Sequence, residues 1–333
     1  MLIPLGLFFP NYNDVNWQPF VILTGLICLW WLFQKDIHLS LPLPFKVLVT
    51  AITSISLIQS LLNFHSDPGL TSMTLLHYSL MSLLFAGLAL IYILNVKPKP
   101  LTYVLMFCFA LQAVKLTWDY TWYEGAYGLP QGYLGNKSIG ATYLAVLAPL
   151  LGPWWVLAAL AVSVYVKSLI SILAVCVTLM VYLPLRWGLL AASLSVPALY
   201  LTGRGIFSNA RFEFWPIIAT YVPEHLWIGH GLGSFQYFGP ALQIKHQYGL
   251  SDGMWLFAHN DWLEILFEQG LVGLGLVVIA FVYWWVKETD IRVRGFLLSL
   301  SVSMFGNYPL QVAYFIPLIA LAWGLSKRMN LSK

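Results

Sequence analysis

The sequence predicts an all-α polytopic membrane protein of about eleven transmembrane helices, with one long outer loop carrying short interfacial helices. Three observations predict it. The chain of 333 residues is 59% hydrophobic and only 9% charged, where soluble globular proteins carry about a quarter charged residues. Apolar runs near the ~20 residues that cross a bilayer recur along most of the length. Two polar interruptions, 115–138 and 201–260, break this pattern. No alternating ten-residue pattern of the kind that builds a membrane barrel is present.

In chain order the spans are read at 17–33, 45–62, 72–94, 101–116, 138–152, 154–166, 168–184, 187–201, 262–286, 295–309 and 310–326. The short apolar start "LIPLGLFFP" is too short to span and has neither a basic start nor a cleavage site, so it reads as an interfacial segment. Lysine and arginine crowd the cytoplasmic side of membrane proteins. Placing Lys35, Lys46, Lys97, Lys99, Arg186, Lys287, Arg292, Arg294, Lys327, Arg328 and Lys333 inside leaves Lys115, Lys137, Lys167, Arg204, Arg211 and Lys245 outside. That asymmetry puts the C-terminus in the cytoplasm and residues 202–260 on the outer face. The net charge of +4 then reports topology and gives no reason to invoke nucleic acid. Cys28, Cys108 and Cys176 each fall within a span, where free cysteine behaves as a small buried hydrophobe. Without a low-complexity linker or short-period repeat, residues 1–333 read as a single membrane domain that includes the 202–260 loop.

Long loops are often functional, and this one carries the aromatic-rich stretches "FEFWPIIATYV" and "HLWIGHGLGSFQYF". Such stretches suit the headgroup level, where Trp and Tyr concentrate; plugging the top of a helix bundle is the alternative. After the loop comes "AHNDWLEILFEQGLVGLGLV", residues 258–277, which begins polar and ends as a span. Asn260 suits an N-cap and Asp261 the positive end of the helix dipole. Capping leaves Glu264 and Glu268 unexplained. With Asn260 they form an i, i+4, i+8 stripe, and ionisable groups at membrane depth usually face a polar cavity or a partner. His259, just before the cap, has the side chain best suited to accept a proton from a hydroxyl near neutral pH. Among the cations, Arg204 and Arg211 present planar forks suited to phosphate oxygens. Lys167, between two spans, could add a third charge. The glycines of "GHGLGSF", Gly229 and Gly231 among them, allow a tight backbone path and close approach to a ligand.

The order of these residues resembles the O-antigen ligase and polymerase superfamily of bacterial membrane glycosyltransferases. The resemblance rests on "NARFEFWPIIATYVPEHLWIGHGLGSF", with Arg211 and Trp215 ahead of a Gly-x-Gly turn, and on "AHNDWLEILFEQGLVGLGLV", with His-Asn and then a Glu-x-Gly span. Upstream, "GNKSIGATYLAVLAPLL" with Asn136 resembles a helix start of that family; the match runs roughly over 135–326. It implies an inverting transfer of a glycan from a polyprenyl (undecaprenyl) diphosphate carrier, at the periplasmic face of the inner membrane, without cofactor, nucleotide sugar or catalytic metal. The acceptor would be a glycan or lipid A core. By motif, Arg211 would bind the diphosphate and His259 would activate the acceptor hydroxyl. One departure is that Lys167 stands where related sequences often have arginine, offering a point charge instead of a fork, with Arg204 available to compensate.

Three other readings compete. A transporter or flippase would use broken helices such as "EQGLVGLGLV", yet no matching interruption suggests inverted repeats. An intramembrane serine protease would need a Gly-x-Ser-Gly turn, whereas Phe235 follows Ser234. A zinc site from His225, His230, His246 and His259 lacks any usual helical ligand spacing.

Overall fold

A computed structural model describes residues 98–123, 136–184, 193, 210–231, 234–247, 255–311 and 315–331. The predicted spans at 17–33, 45–62 and 72–94, most of 187–201, and Arg204 lie outside the described residues. Within them the chain is helical, with no strand.

Helix α1 runs Pro98–Tyr123, with Pro98 and Pro100 in the first turn, where a missing N–H costs nothing. Helix α2, Lys137–Leu151, starts at Asn136, whose side chain accepts hydrogen bonds from the amides of Ser138 and Ile139. It is buried from Ile139 to Leu150, as an all-round apolar helix must be, and is the centre of the bundle. Gly152 ends it at φ 116°, a value glycine adopts freely, and Pro153 opens α3, Pro153–Tyr165. Helix α4, Leu169–Tyr182, packs on both α2 and α3.

Helix α5, Ala210–Tyr221, a 3₁₀ turn at Val222–His225 and α6, Phe235–Lys245, fold the long loop. They share a small core of Phe214, Ile218, Val222, Phe235 and Leu242 with Ala258 and Phe267, so these described parts of the loop pack together and onto α7. Helix α7 spans Asp261–Lys287. Helix α8, Ile291–Ser303, is capped by Asp290, which accepts from the Arg292 amide. It packs against α4 and α2, with the buried Ser299 hydroxyl donating to the Ala145 carbonyl at 2.9 Å. A 3₁₀ turn at Pro309–Gln311 leads into α9, Phe315–Leu331.

The helices fall where apolar runs predict them, with two physical differences. Only α7, among the described residues, is long and apolar enough to cross a membrane. Helices α2, α3 and α4 have 15, 13 and 14 residues, short of the ~20 needed to span hydrocarbon. And α8 stops at Ser303: "MFGNYPLQ" carries Gly and Pro turn signals and forms an irregular segment where continuous helix is expected to 309.

Candidate active site

The polar start of α7 is separated from its apolar remainder by a break. Gly270 sits at φ 65°, ψ −166°, outside helical space. A regular helix would bond the Leu271 and Val272 amides to the carbonyls of Phe267 and Glu268. Instead residues 226–231 are stitched into the gap. The Leu271 amide donates to Leu226 O at 2.8 Å and the Val272 amide to Trp227 O at 3.1 Å. The freed carbonyls of Phe267 and Glu268 accept from the amides of His230 (2.9 Å) and Gly231 (2.8 Å). This crossing needs glycine on both strands: a Cβ on Gly229 would lie 2.2 Å from the Glu268 backbone, and one on Gly270 2.4 Å from Trp227. The close approach expected of Gly229 and Gly231 is therefore made to α7 itself.

Each carboxylate of the polar segment accepts a backbone amide from a different piece of chain. Asp261 Oδ2 takes the Leu310 amide at 2.8 Å. Glu264 Oε2 takes the Ala258 amide at 2.8 Å. Glu268 Oε1 takes the Phe235 amide at 3.1 Å. All three residues are buried with one oxygen of each bonded to a backbone amide, which gives the stripe a structural role. Asn260 caps α7, accepting from the Leu263 amide at 3.1 Å.

His259 is presented by this scaffold. The Ala258 peptide before it is held at both ends, its amide by Glu264 and its carbonyl by Trp215 Nε1 at 2.8 Å. His259 itself has φ 54°, a left-handed conformation that non-glycine residues adopt at a cost of ~1–2 kcal/mol and that clusters at functional sites. Its ring meets Trp255 and Tyr308 edge-on, with centroids 5.3 and 4.8 Å apart. Nδ1 is buried and makes no hydrogen bond. Burial, and then the positive charge of Arg211, hold the imidazole well below its ordinary pKa, so it is neutral at pH 7.

Arg211, in the first turn of α5, donates from Nη1 to the Gly306 carbonyl. The segment after α8 is thus a meeting point that sequence reasoning missed. Met304 O accepts the Asp261 amide at 2.9 Å, Gly306 O takes Arg211, Tyr308 abuts His259, and Leu310 donates to Asp261. Its "GNYP" turn signal between two apolar runs was the clue available in the sequence.

The other expected residues are placed as follows. Lys167 occupies the α3–α4 turn at φ 55°, a second left-handed non-glycine position. Asn136 is an N-cap at the surface. Lys245 lies over the Tyr221 ring, 5.1 Å from its centroid. The histidines separate: His225 pairs with His230 (centroids 4.6 Å apart), His246 with Tyr221, and His259 stands apart from both. Among the described residues no group of three or more His, Cys, Asp or Glu could hold a metal. Ser234 is buried and its hydroxyl makes no hydrogen bond, so no base activates it.

Residues 132–278, which contain α2 to α6, the Gly270 crossing and the His259 site, match the family model for O-antigen ligase. That segment is similar to O-antigen ligases. This family carries O-antigen ligase or polymerase-type glycosyltransferase activity on lipid-linked glycans, in the bacterial inner membrane. No curated protein matches the chain. The matched segment ends at residue 278, so the 304–311 turn that completes the surroundings of Arg211 and His259 lies beyond it.

Proposed function

We propose that this protein transfers a glycan from a polyprenyl diphosphate carrier to an acceptor hydroxyl at the periplasmic face, as a surface-polysaccharide ligase or polymerase. A diphosphate is already an activated leaving group, so the reaction needs charge neutralisation and a positioned base. Arg211 holds the diphosphate with its guanidinium fork, and Lys167 and Arg204 add charge. His259 takes the proton of the acceptor hydroxyl as that oxygen attacks the anomeric carbon and the bond to the diphosphate breaks. Inversion follows from a single displacement. Asn260, Glu264 and Trp215 hold the His259 segment in place, Glu268 holds the start of α6, and Gly229 and Gly231 hold the loop against α7; Asn136 fixes the start of α2.

The observation that carries the reading is an enclosed His259 lying within the field of Arg211, on a peptide held at both ends. A transporter reading draws on the break in α7, but all four backbone groups freed there are bonded to the loop and none is left for an ion or substrate. The test is transfer from a polyprenyl diphosphate oligosaccharide by purified protein. Arg211→Ala should nearly abolish it and Arg211→Lys should retain little, because the bidentate geometry is lost, while Lys245→Ala should matter far less. Native rates in both Arg211 variants would remove the diphosphate site from this position.

A further inference from the structure

Beside the base lies a buried polar chain that the reaction above does not use. Asn307 is fully buried in the turn between Gly306, which receives Arg211, and Tyr308, which packs on His259. Its Nδ2 donates to Thr142 Oγ1 at 2.6 Å and to Ser138 Oγ at 3.2 Å, both at the start of α2. Having accepted from Asn307, the Thr142 hydroxyl is free to donate onward to Ser171 Oγ at 3.1 Å, and Ser171 to Ser168 Oγ at 2.8 Å. Thr142, Ser168 and Ser171 are buried. Ser168 follows Lys167, and its amide closes the turn by donating to Ser163 O at 2.9 Å. A run of buried hydroxyls is costly unless every member is satisfied. This one reaches from the Arg211 acceptor turn to the left-handed turn carrying Lys167.

We propose that Asn307 is a positioning residue for the two donor-binding cations: its carboxamide ties the turn that receives Arg211 to the hydroxyl chain that sets the Lys167 turn. The inference rests on the donor site proposed above. It adds a specific role for a residue that touches neither substrate nor base. The direction of the chain matters. Asn307 supplies the donor at its head, so Asn307→Asp keeps the size but removes the proton that Thr142 accepts, and every hydroxyl behind it must turn around.

The experiment is steady-state transfer from a polyprenyl diphosphate oligosaccharide, using the full chain in lipid nanodiscs at matched folded protein. Asn307→Asp should raise the donor KM about tenfold, the cost of one displaced charged contact, with kcat changed less than about threefold. Thr142→Val, which breaks the chain in its middle, should do the same. In a double-mutant cycle Lys167→Ala should add less than about threefold to either variant, because residues acting through one network are not additive. Ser299→Ala removes a buried hydrogen bond elsewhere in the same helix pair and should leave KM native. Full additivity, a fall in kcat at native KM, or an equal KM rise in Ser299→Ala would each overturn the inference alone. If Asn307→Asp does not fold, the Thr142→Val cycle decides. Native KM in both Lys167→Ala and Arg211→Ala would refute the donor site, and the inference with it.

Discussion

Replacing Gly270 with alanine tests whether the loop stitched into α7 holds the site together. The new Cβ would lie 2.4 Å from the carbonyl carbon and oxygen of Trp227 and 2.5 Å from the Ile228 nitrogen. These are backbone atoms, so no rotamer change relieves the clash, and φ 65°, ψ −166°, a region essentially open to glycine alone, adds ~1–3 kcal/mol of strain. The cheapest escape is for α7 to close into regular helix, expelling the loop. Four loop–helix hydrogen bonds are then exchanged for two within the helix. At ~0.5–1.5 kcal/mol each, the net loss is about 1–3 kcal/mol, and the loop is left with four unpaired groups. The expected result is a lower melting temperature in detergent, new protease cleavage at 226–231 and reduced transfer, since Glu268 also holds the start of α6. Gly275 has open space around its Cβ position, so Gly275→Ala should be neutral or slightly stabilising. A Gly270→Ala protein with native melting, protease resistance and activity would refute the reasoning.

Three further outcomes follow from the same geometry. His259→Ala should insert and bind donor normally but lose transfer by ~10²–10⁴-fold; native rates at matched protein would leave the histidine as a neighbour of the cap. In pH profiles the acid limb of kcat/KM should lie below 6.5, because burial and Arg211 depress His259 in the free protein and activity is lost as falling pH protonates it. With donor bound, the diphosphate cancels the Arg211 charge, so the acid limb of kcat should sit at higher pH; coincident limbs would separate Arg211 from the base. Reporter fusions at residue 245 should report the periplasm and at Lys333 the cytoplasm, and a cytoplasmic signal at 245 would invert the topology.

What the sequence made legible is what one-dimensional patterning can carry. Apolar runs marked the described helices, and Asn260 and Asn136 were readable as caps because a cap bonds to its own helix. Arg211 and His259, 48 positions apart in the sequence, were singled out by side-chain chemistry. Their convergence depends on Gly306 and Tyr308, which no local pattern assigns to them. The glycines of "GHGLGSF" and "EQGLVGLG" were visible as flexible points, but that Gly229 and Gly270 face each other across a backbone crossing is a tertiary fact. Lengths misled for a related reason. The segment 295–309 is apolar enough to read as a full span, yet the chain turns at Met304 because the Asp261 amide, Arg211 and Leu310 all bond to groups of, or reach out from, the turn.

The polar opening of α7 is resolved by the break at Gly270. Residues 261–269 and 271–287 are two helical pieces with different surroundings. The second, at ~1.5 Å rise per residue, is about 25 Å long, close to the hydrocarbon thickness of a bilayer. The first has no such constraint, and its carboxylates bind amides instead of facing lipid. Broken helices are tolerated at membrane depth only when the freed backbone groups are bonded internally, and here the 226–231 loop bonds all four. The same crossing joins the two jobs of the helix. It lets one continuous element anchor the chain in the membrane and, nearly two turns before the break, hold the peptide that presents His259 beside Arg211. A straight α7 would keep the span and lose the docking of the loop, which is why glycine, and no larger residue, stands at both 229 and 270.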